Sequence, residues 1–407
     1  MALPLTYNAR HLLARRLSSG LTFLIVAVVV FVLALLLSFV AGIRAALGAT
    51  GSPRNIIVLK PGATAESTSL IPLDDLGPLI QTPGLAAAEP VTGTSAAAEL
   101  FTTGRLRPGD PLLSPELAVQ TMLPRRTGGA PANVAIRGVD DIAFAVHAEV
   151  RLVAGRLFTP GAPEVLVGTA AQERFAGLEL GATVALGRKG ERPYQVVGVF
   201  SAGGGALESE LWAPRTMIAD SFHRRLASSV CLQVRDAAAV APAVAYIQGP
   251  AVGLEARPEL QYYRDLAEKT REIVVLTSVL VGIMAIGAAF AVATTMYAAV
   301  DGRRRELAML RALGFGRGAI MAALLAESLL LCLLASACGL LVSAAFSGRQ
   351  QDFLSDTTWT VLAYELKITP GIVATALLVA TAVSVGGTLA PALRAARLNV
   401  ITALRKA

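Results

Sequence analysis

Four long runs of apolar residues divide this chain into membrane-like and soluble-like parts. The runs cover Leu21–Ile43, Ile273–Val300, Ala319–Phe346 and Gly371–Ala390. About 20 helical residues cross the ~30 Å hydrocarbon layer of a bilayer, so each run predicts a transmembrane helix. The residues between the first two runs have the mixed composition of a soluble domain. The pattern therefore predicts an α-helical membrane protein with four transmembrane helices (1+3) and a large extracytoplasmic domain inserted between helices 1 and 2.

Within the inserted domain, residues 44–258, short β-type runs alternate with a few helical stretches. The expected strands are Asn55–Lys60, Glu164–Gly168, Ala182–Leu186, Tyr194–Phe200 and Val230–Val234. The expected helices are Asp74–Gln81 and Thr169–Ala176. Residues 101–135 are rich in Pro, Gly, Thr and Ala, and we expect little regular structure there. The mixture predicts an α+β domain of two lobes.

The segments beside the first two apolar runs are helix-compatible. Residues 259–272 contain no Gly or Pro and lead directly into the second run, which predicts a continuous stalk helix. The stalk residues that we single out are Tyr262, Tyr263, Leu266 and Thr270. Residues 1–20 predict an amphipathic helix at the inner membrane surface, and a disordered basic leader is the alternative. The first run is longer than the 7 to 15 residues of a typical signal peptide core, which favours an uncleaved anchor.

Composition supports the membrane assignment. The 407 residues are 54% apolar and 16% charged, with a mean hydropathy of +0.60. The net charge of +7 does not indicate nucleic-acid binding, because the arginines flank the apolar runs and form no patch interleaved with aromatic residues. Cys231, Cys332 and Cys338 are too few for a disulfide framework, and we expect them to be packing residues.

The distribution of Lys and Arg predicts the orientation of the chain, because cytoplasmic loops carry the excess of these residues. The N-terminus, the loop at residues 301–318 and the tail at residues 391–407 are all rich in arginine. The loop at residues 347–370 instead holds two basic residues against three acidic ones. We therefore expect both termini and the loop at 301–318 in the cytoplasm, and the large domain outside.

The sequence lacks the common catalytic and metal-binding motifs. No GxxxxGK[ST] occurs, so the chain is not expected to bind ATP through a P-loop. Val199 occupies the first glycine position of a GxSxG elbow around Ser201. The histidines His11, His147 and His223 are scattered, with no HExxH motif and no cysteine pair. We expect no enzyme active site, no metal site and no cofactor in this chain.

Two features inside the apolar runs predict helix contacts. Glu327 lies within the third run, and no other run holds an ionisable residue. A polar contact to a neighbouring helix or chain is therefore favoured over a proton path, which would need several such residues. Gly282, Ala285, Ala289 and Ala293 form a stripe of small residues that would allow close helix packing. A chance pattern in an alanine-rich chain is the alternative.

The loop Asp301–Gly316, DGRRRELAMLRALGFG, is the strongest functional candidate. Its three adjacent arginines would cost on the order of 8 to 10 kcal/mol in hydrocarbon, so the loop lies in water or at the interface. Strong helix formers are followed by Gly314, a stop signal. Leu307, Leu310 and Leu313 or Gly314 would share one face, with Met309 alongside. Such a helix suits a groove on a cytoplasmic partner, and a positive-inside anchor without a partner is the alternative.

This loop resembles the RxREIxxLRALGA pattern of the ABC-transporter permeases related to MacB, FtsX and the LolC–LolE pair. The tail PALRAARLNVITALR, Pro391–Arg405, and the segment Asn8–Thr22 are similar to the family's ending and opening. The segments EVLVG, GATVAL and YQVVGVF resemble the MacB-type periplasmic domain more loosely. The resemblance covers both ends and the membrane core, which is about half of the chain.

The resemblance implies a non-catalytic permease subunit of the bacterial inner membrane that works as a dimer, a homodimer rather than a heterodimer. Because no ATPase is fused to the chain, ATP and magnesium would be bound by a separate cytoplasmic ATPase. The implied coupling residues are Arg303, Arg304, Arg305, Glu306, Leu307, Met309, Leu310, Arg311, Leu313 and Gly314. The coupling helix and the stalk would carry ATP-driven movement to the periplasmic domain, a mechanism called mechanotransmission.

The expected function is export or extraction of a substrate from the periplasm or the outer leaflet, in contact with membrane lipids and with a possible periplasmic adaptor. Within the same fold, the alternatives are an FtsX-like regulator of a periplasmic hydrolase and lipoprotein or lipid extraction of the LolC–LolE type. A receptor that signals inward to a partner other than an ATPase is a third alternative.

Overall fold

The computed structural model describes residues 16–93, 95–126, 130–188, 190–268, 271–347, 350–354 and 361–397. These residues form two compact units. The membrane unit holds the described residues of 1–42, 271–349 and 365–407, and the extramembrane unit holds those of 43–270 and 350–364. Most of the predicted N-terminal helix, the end of the tail and the junction at residues 269–270 lie outside the described residues.

The helices and strands alternate through the extramembrane unit and give way to long helices afterwards. The helices are α1 Arg16–Gly48, α2 Ala96–Thr102, α3 Ala143–Val146, α4 Thr169–Arg174, α5 Arg215–Phe222, α6 Val240–Gln248, α7 Glu259–Glu268, α8 Arg271–Gly302, α9 Arg304–Ala312, α10 Arg317–Ala344 and α11 Pro370–Ala396. The strands are β1 Asn55–Leu59, β2 Leu113–Leu123, β3 Ala132–Val139, β4 Arg151–Gly155, β5 Glu164–Gly168, β6 Thr183–Leu186, β7 Arg192–Ser201, β8 Glu210–Pro214, β9 Ser229–Gln233, β10 Glu255–Pro258, β11 Gln350–Leu354 and β12 Val361–Glu365.

Four of the described helices, α1, α8, α10 and α11, are long and apolar enough to cross a membrane. Their boundaries follow local signals: α11 begins at Pro370, which needs no hydrogen-bond partner in a first turn, after the capping residue Thr369. Each predicted apolar run falls on one of these helices, although α10 ends at Ala344, two residues before Phe346. The predicted fold class, four such helices with an α+β domain after the first, is confirmed.

The four long helices share one apolar core in the membrane unit. Valines of α1 and α8 meet small residues of α10 and α11 there. Its fully or nearly fully buried members include Val26, Val30, Ala288, Val292, Cys332, Ala335, Ala376 and Ala380. Alanine and cysteine at these positions let the helix backbones approach one another, as is common between membrane helices.

The extramembrane unit is built on one mixed sheet of ten strands. The strand order is β10-β1-β9-β2-β3-β8-β5-β7-β4, and β6 pairs with β7. The pairs β3–β8 and β5–β7 are parallel, and the other pairs are antiparallel. Strand β2 joins two groups of strands, because Leu113–Glu116 pair with β9 and Leu117–Leu123 pair with β3. A separate two-stranded sheet consists of β11 and β12.

A strand of consecutive apolar residues lies in the middle part of this sheet, where both faces are covered. The run EVLVG of β5 lies between β7 and β8, and its valines and leucine are fully buried. Central strands need such runs because both of their faces are covered. Trp212 of β8 is the centre of an aromatic cluster, with ring centroids 5.5 Å from Phe144 and 5.2 Å from Phe200.

One local prediction for this unit is wrong, and one helix is of a different type. Residues 101–135 contain the long strand β2 and the start of β3, although their composition favoured little regular structure. Pairing with β9 and β3 supplies the order that composition does not show. The predicted helix at Asp74–Gln81 is present as a 3₁₀ helix, Leu73–Gln81. It contains Pro78, which has no N–H to donate to an α-helical ladder.

Candidate functional site

The predicted coupling loop contains the short helix α9, Arg304–Ala312, between α8 and α10. Arg303 is its N-terminal capping residue, and its backbone carbonyl accepts a hydrogen bond from the Leu307 N–H at 2.9 Å. The helix ends where Gly314 adopts φ = +95°, a conformation that other residues rarely adopt. The Phe315 N–H then donates back to the Leu310 carbonyl at 3.1 Å.

The apolar residues of α9 divide between an inward and an outward side. Leu307 is buried in a small cluster with residues of α8, α10 and α11, namely Val300, Ile320, Leu324, Ala392 and Ala395. Leu310 is half-buried. Met309 and Leu313, one helical turn apart, are 50% and 77% exposed. The structure therefore does not keep the predicted face of Leu307, Leu310 and Leu313 together: the exposed apolar pair is Met309 and Leu313.

Arg303 and Glu327 form a buried bidentate ion pair in the membrane unit. The distances are 3.0 Å from Nη1 to Oε2 and 3.1 Å from Nη2 to Oε1. Arg303 is only 8% exposed, and Glu327 only 3% exposed. Arg303 is one of the predicted coupling residues, and its guanidinium lies inside the membrane unit rather than on the surface of the loop. Glu327 of α10 therefore contacts the segment between α8 and α9.

The other charged residues of the loop lie closer to the surface. Arg304 pairs with Asp301 at 2.7 Å, with both side chains about half exposed. Arg305 and Glu306 are exposed. Arg311 is half-buried, and its Nη1 donates to the Ala396 carbonyl at the end of α11 at 2.6 Å. Two arginines, Arg303 and Arg311, thus hold α9 to α10 and to α11.

A chain of buried hydroxyl groups lies next to Glu327 and was not predicted. Ser328 of α10 contacts the Ser384 hydroxyl of α11 at 2.5 Å, and the Thr388 hydroxyl donates to Ser328 at 2.6 Å. Hydroxyl contacts of this kind join helices inside a membrane at little cost, because the groups satisfy one another. Serine and threonine are frequent throughout the chain, so their spacing carried no signal.

The predicted stripe of small residues on α8 is only partly a packing surface. Gly282 is exposed, and a Cβ atom built there meets nothing within 4 Å. Ala285, Ala289 and Ala293 are half-buried. One member of the stripe does lie at a close helix contact, because a Cβ at Gly387 of α11 would lie 2.6 Å from the Ala289 carbonyl oxygen. A second close contact is at Gly339 of α10. Gly387 and Gly339 therefore allow α11 and α10 to approach neighbouring helices closely.

The stalk residues lie on α7, Glu259–Glu268. Tyr262 and Tyr263 are buried in the extramembrane unit, and the Tyr262 hydroxyl accepts a hydrogen bond from the Glu66 N–H at 3.3 Å. Burial raises the pKa of both tyrosines. Leu266 is half-buried. Thr270 lies outside the described residues, so the predicted continuity of α7 with α8 stays a prediction.

A buried ionic network near α7 was missed from the sequence. Arg137 of β3 binds three carboxylates, from Glu66 at 2.7 Å, Glu116 at 2.6 Å and Glu210 at 2.7 Å. Glu116 also contacts Nε2 of His147 at 2.7 Å. Burial would raise the pKa of Glu116, but His147 and Arg137 lower it to about 2. These residues come from separate segments, and only the fold brings them together.

Comparison with known proteins found two family models that together span most of the chain. Residues 19–249, more than half of the chain, match the MacB-like periplasmic core domain. Residues 278–400 match the FtsX-like permease C-terminal model. The comparison with curated proteins found no match. The chain is also similar to the crystal structure of the extracellular domain of the noncanonic ABC-type transporter YknZ from Gram-positive bacteria, with 17% identity over 47% of this chain and 88% of that chain and a TM-score of 0.32.

The fold defines a multi-pass membrane protein with one large extramembrane domain after its first helix. The extramembrane domain falls within the match to the MacB-like periplasmic core domain. The later helices fall within the match to the FtsX-like permease model. The chain belongs to the family of ABC-transporter permeases that join a MacB-like periplasmic core domain to an FtsX-like permease domain.

Proposed function

We propose that this permease receives ATP-driven movement from a separate cytoplasmic ATPase and passes it to the extramembrane unit by mechanotransmission. The observation that carries the proposal is the exposed pair Met309 and Leu313 on a short helix between two membrane helices. The compartment outside the membrane has no ATP, so work done there has to arrive through the protein. The driven step is the export or extraction of a substrate from the periplasm or outer leaflet.

The surface of α9 supports contact with a protein partner. Met309 and Leu313 lie one turn apart, and basic and acidic side chains surround them. An amphipathic helix of this kind binds in an apolar groove, where burial of one leucine contributes about 1.5 to 3 kcal/mol. In the proposed orientation, with both termini and this loop in the cytoplasm of the bacterial inner membrane, the partner is the ATPase. That partner holds the ATP and the magnesium ion.

The inner side of α9 supports transmission of movement within the membrane unit. The Arg303–Glu327 ion pair holds the start of α9 to α10, and the Arg311 contact holds its end to α11. Leu307 packs between α8, α10 and α11. A force applied to α9 would therefore displace the neighbouring helices with it, because breaking the buried ion pair costs several kcal/mol.

On the other side of the membrane, α7 is the proposed output. Its two buried tyrosines, Tyr262 and Tyr263, fix it in the extramembrane unit, and the chain continues from α7 towards α8. In the proposed assembly a second copy of the permease completes the transporter. The helix α8 offers a surface for this second copy. Only 17% of its apolar membrane-spanning stretch is buried, against 39% for each of the other three long helices.

The proposal is tested by purifying the tagged full chain from membranes and measuring bound ATPase and ATP hydrolysis. We expect an ATP-hydrolysing subunit to copurify with the wild type. The Leu313→Asp variant should retain about tenfold less of this ATPase subunit, or even less, because loss of the free energy from burying one leucine weakens binding by about that factor. Ala312→Asp, which places the same charge on the neighbouring exposed residue, is the matched control and should retain the subunit. Absence of any ATPase, or equal recovery with both variants, would contradict the proposal.

A further inference from the structure

Three potential metal ligands converge in the extramembrane unit beside the start of α7. Among the described residues, the ligand atoms of His147, Cys231 and Glu259 all lie within 4.8 Å of one another. Glu149 lies beside this group, with its Oε1 atom 3.8 Å from Nδ1 of His147. His147 follows α3, Cys231 lies on β9, and Glu259 is the first residue of α7. The group thus joins three separate elements of the unit.

Two polar atoms in or beside this group have no hydrogen-bond partner within the described parts of the chain. They are Nδ1 of His147 and Oε1 of Glu149, and both atoms are buried. The His147 side chain is 2% exposed. Buried polar atoms are almost always hydrogen-bonded. Nδ1 of His147 instead faces the carboxylate oxygens of Glu149 and Glu259 from 3.8 Å, too far for a hydrogen bond, and this arrangement suits a ligand held between the side chains.

The distances suit a small tetrahedral metal ion. Nδ1 of His147 lies 3.8 Å from Oε1 of Glu259, and Sγ of Cys231 lies 3.8 Å from the same oxygen. Zinc bond lengths of about 2.0 Å to nitrogen or oxygen and 2.3 Å to sulfur give ligand separations of roughly 3.3 to 3.6 Å. These two separations exceed the zinc values by a few tenths of an ångström, and all three ligand atoms lie within 4.8 Å of one another.

The remaining atoms of the ligands are already held in place. Nε2 of His147 contacts the Glu116 carboxylate at 2.7 Å, and Glu116 is in turn bound by Arg137. A carboxylate on the far nitrogen orients a metal-binding histidine and fixes which nitrogen is free. Oε2 of Glu259 accepts the Ser52 N–H at 2.9 Å, which leaves Oε1 directed towards Cys231 and His147.

The donor set selects the class of metal. One thiol, one imidazole and one carboxylate, with the fourth position open to water, suit zinc or a similar divalent transition metal. Calcium and magnesium prefer sites made only of oxygen atoms, so the sulfur of Cys231 disfavours both. The site lies outside the membrane-spanning helices, and Cys332 and Cys338 of α10 belong to the other unit, so Cys231 has no disulfide partner within its own unit.

We propose that His147, Cys231 and Glu259 bind one zinc ion, which fastens the first turn of α7 to β9 and to the segment after α3. The alternative is a buried polar network in which these side chains and Glu149 stabilise the fold without a metal. The metal site and the metal-free network differ in one testable respect. Only the metal site binds an ion that is coordinated by both the Cys231 thiol and Nδ1 of His147.

The test uses the full chain purified in detergent, stripped with a chelator and titrated with Zn²⁺ and with Co²⁺. We expect one ion per chain and a rise in melting temperature with Zn²⁺ but not with Mg²⁺ or Ca²⁺. Bound Co²⁺ should show tetrahedral d–d bands and a thiolate-to-cobalt charge-transfer band. Cys231→Ser should abolish the charge-transfer band and weaken Zn²⁺ binding by about tenfold or more.

Cys332→Ser is the matched control, because it removes another buried cysteine but lies in the membrane unit. It should bind Zn²⁺ and Co²⁺ like the wild type. The melting temperature of the metal-free Cys231→Ser protein shows whether that variant is folded, and Glu259→Gln provides a second variant that should bind more weakly. Failure of the wild type to bind Zn²⁺ stoichiometrically, or a charge-transfer band that survives Cys231→Ser, would overturn the proposal. These readouts do not involve ATP, so they are independent of the proposed transport function.

Discussion

Glu327 of α10 holds both terminal nitrogens of Arg303, at 3.0 and 3.1 Å, in the interior of the membrane unit. Arg303 lies between the end of α8 and the start of α9. The pair thus connects three consecutive helices through two side chains. Parallel hydrogen bonds between arginine and a carboxylate fix orientation as well as distance, so α9 cannot rotate freely against α10 while the pair is intact.

Removal of one partner from this pair should be strongly destabilising. Glu327→Ala leaves the Arg303 charge buried without compensation, and we expect a loss of about 3 to 5 kcal/mol in the free energy of unfolding. SDS-induced unfolding of the purified protein measures this loss. Arg304→Ala is the control, because the Arg304–Asp301 pair is exposed and should contribute at most about 1 kcal/mol. The interpretation is wrong if the two variants lose the same stability, or if the double variant Arg303→Met/Glu327→Leu is less stable than Glu327→Ala.

Substitution by alanine at two adjacent glycines of α11 should have different effects on the free energy of unfolding. A Cβ at Gly387 would lie 2.6 Å from the Ala289 carbonyl oxygen and 2.8 Å from Cβ of Val292, whereas a Cβ at Gly386 meets nothing within 4 Å. Gly387→Ala should therefore lower the free energy of unfolding by about 1 to 3 kcal/mol, the usual cost of overpacking. Gly386→Ala should leave it unchanged or raise it. Equal effects at both positions in the same unfolding assay would show that α8 and α11 are not packed as described.

The membrane architecture was predictable because each spanning helix needs an uninterrupted apolar run, and such runs are visible in a single sequence. The end of α9 was predictable for a similar local reason, since Gly314 is the residue type that a left-handed helix end requires. Strands such as β5 were found because a buried central strand consists of consecutive apolar residues.

The inward orientation of Arg303 was not predictable, because it is one of three adjacent arginines and only the position of Glu327 distinguishes it. The network around Arg137 and the group of His147, Cys231 and Glu259 were missed because their members lie far apart in sequence. Small residues on α8 predicted a packing stripe, and Ala289 of that stripe does lie against Gly387 of α11, but helical spacing within α8 cannot reveal which helix is the partner.

The proposed dimer predicts cross-linking along α8. Ile283 is 62% exposed on this helix, and Ile283→Cys in a Cys338→Ser background should form a covalent dimer when membranes are treated with a short bifunctional maleimide. Leu341→Cys, 72% exposed on α10, is the control and should give much less dimer in the same background. Efficient cross-linking at Leu341 with none at Ile283 would place the second copy against α10 and not against α8.

The most direct test of the proposed transmission is hydrogen exchange in α7 of the purified complex with its ATPase, with and without vanadate-trapped nucleotide. The account predicts that trapping changes the exchange of the backbone amides of Glu259–Glu268 in the wild type and in Ala312→Asp, because movement of α9 reaches the extramembrane unit. In Leu313→Asp the same amides should not respond. Unchanged exchange in the wild-type complex, while its ATPase hydrolyses ATP, would contradict the account.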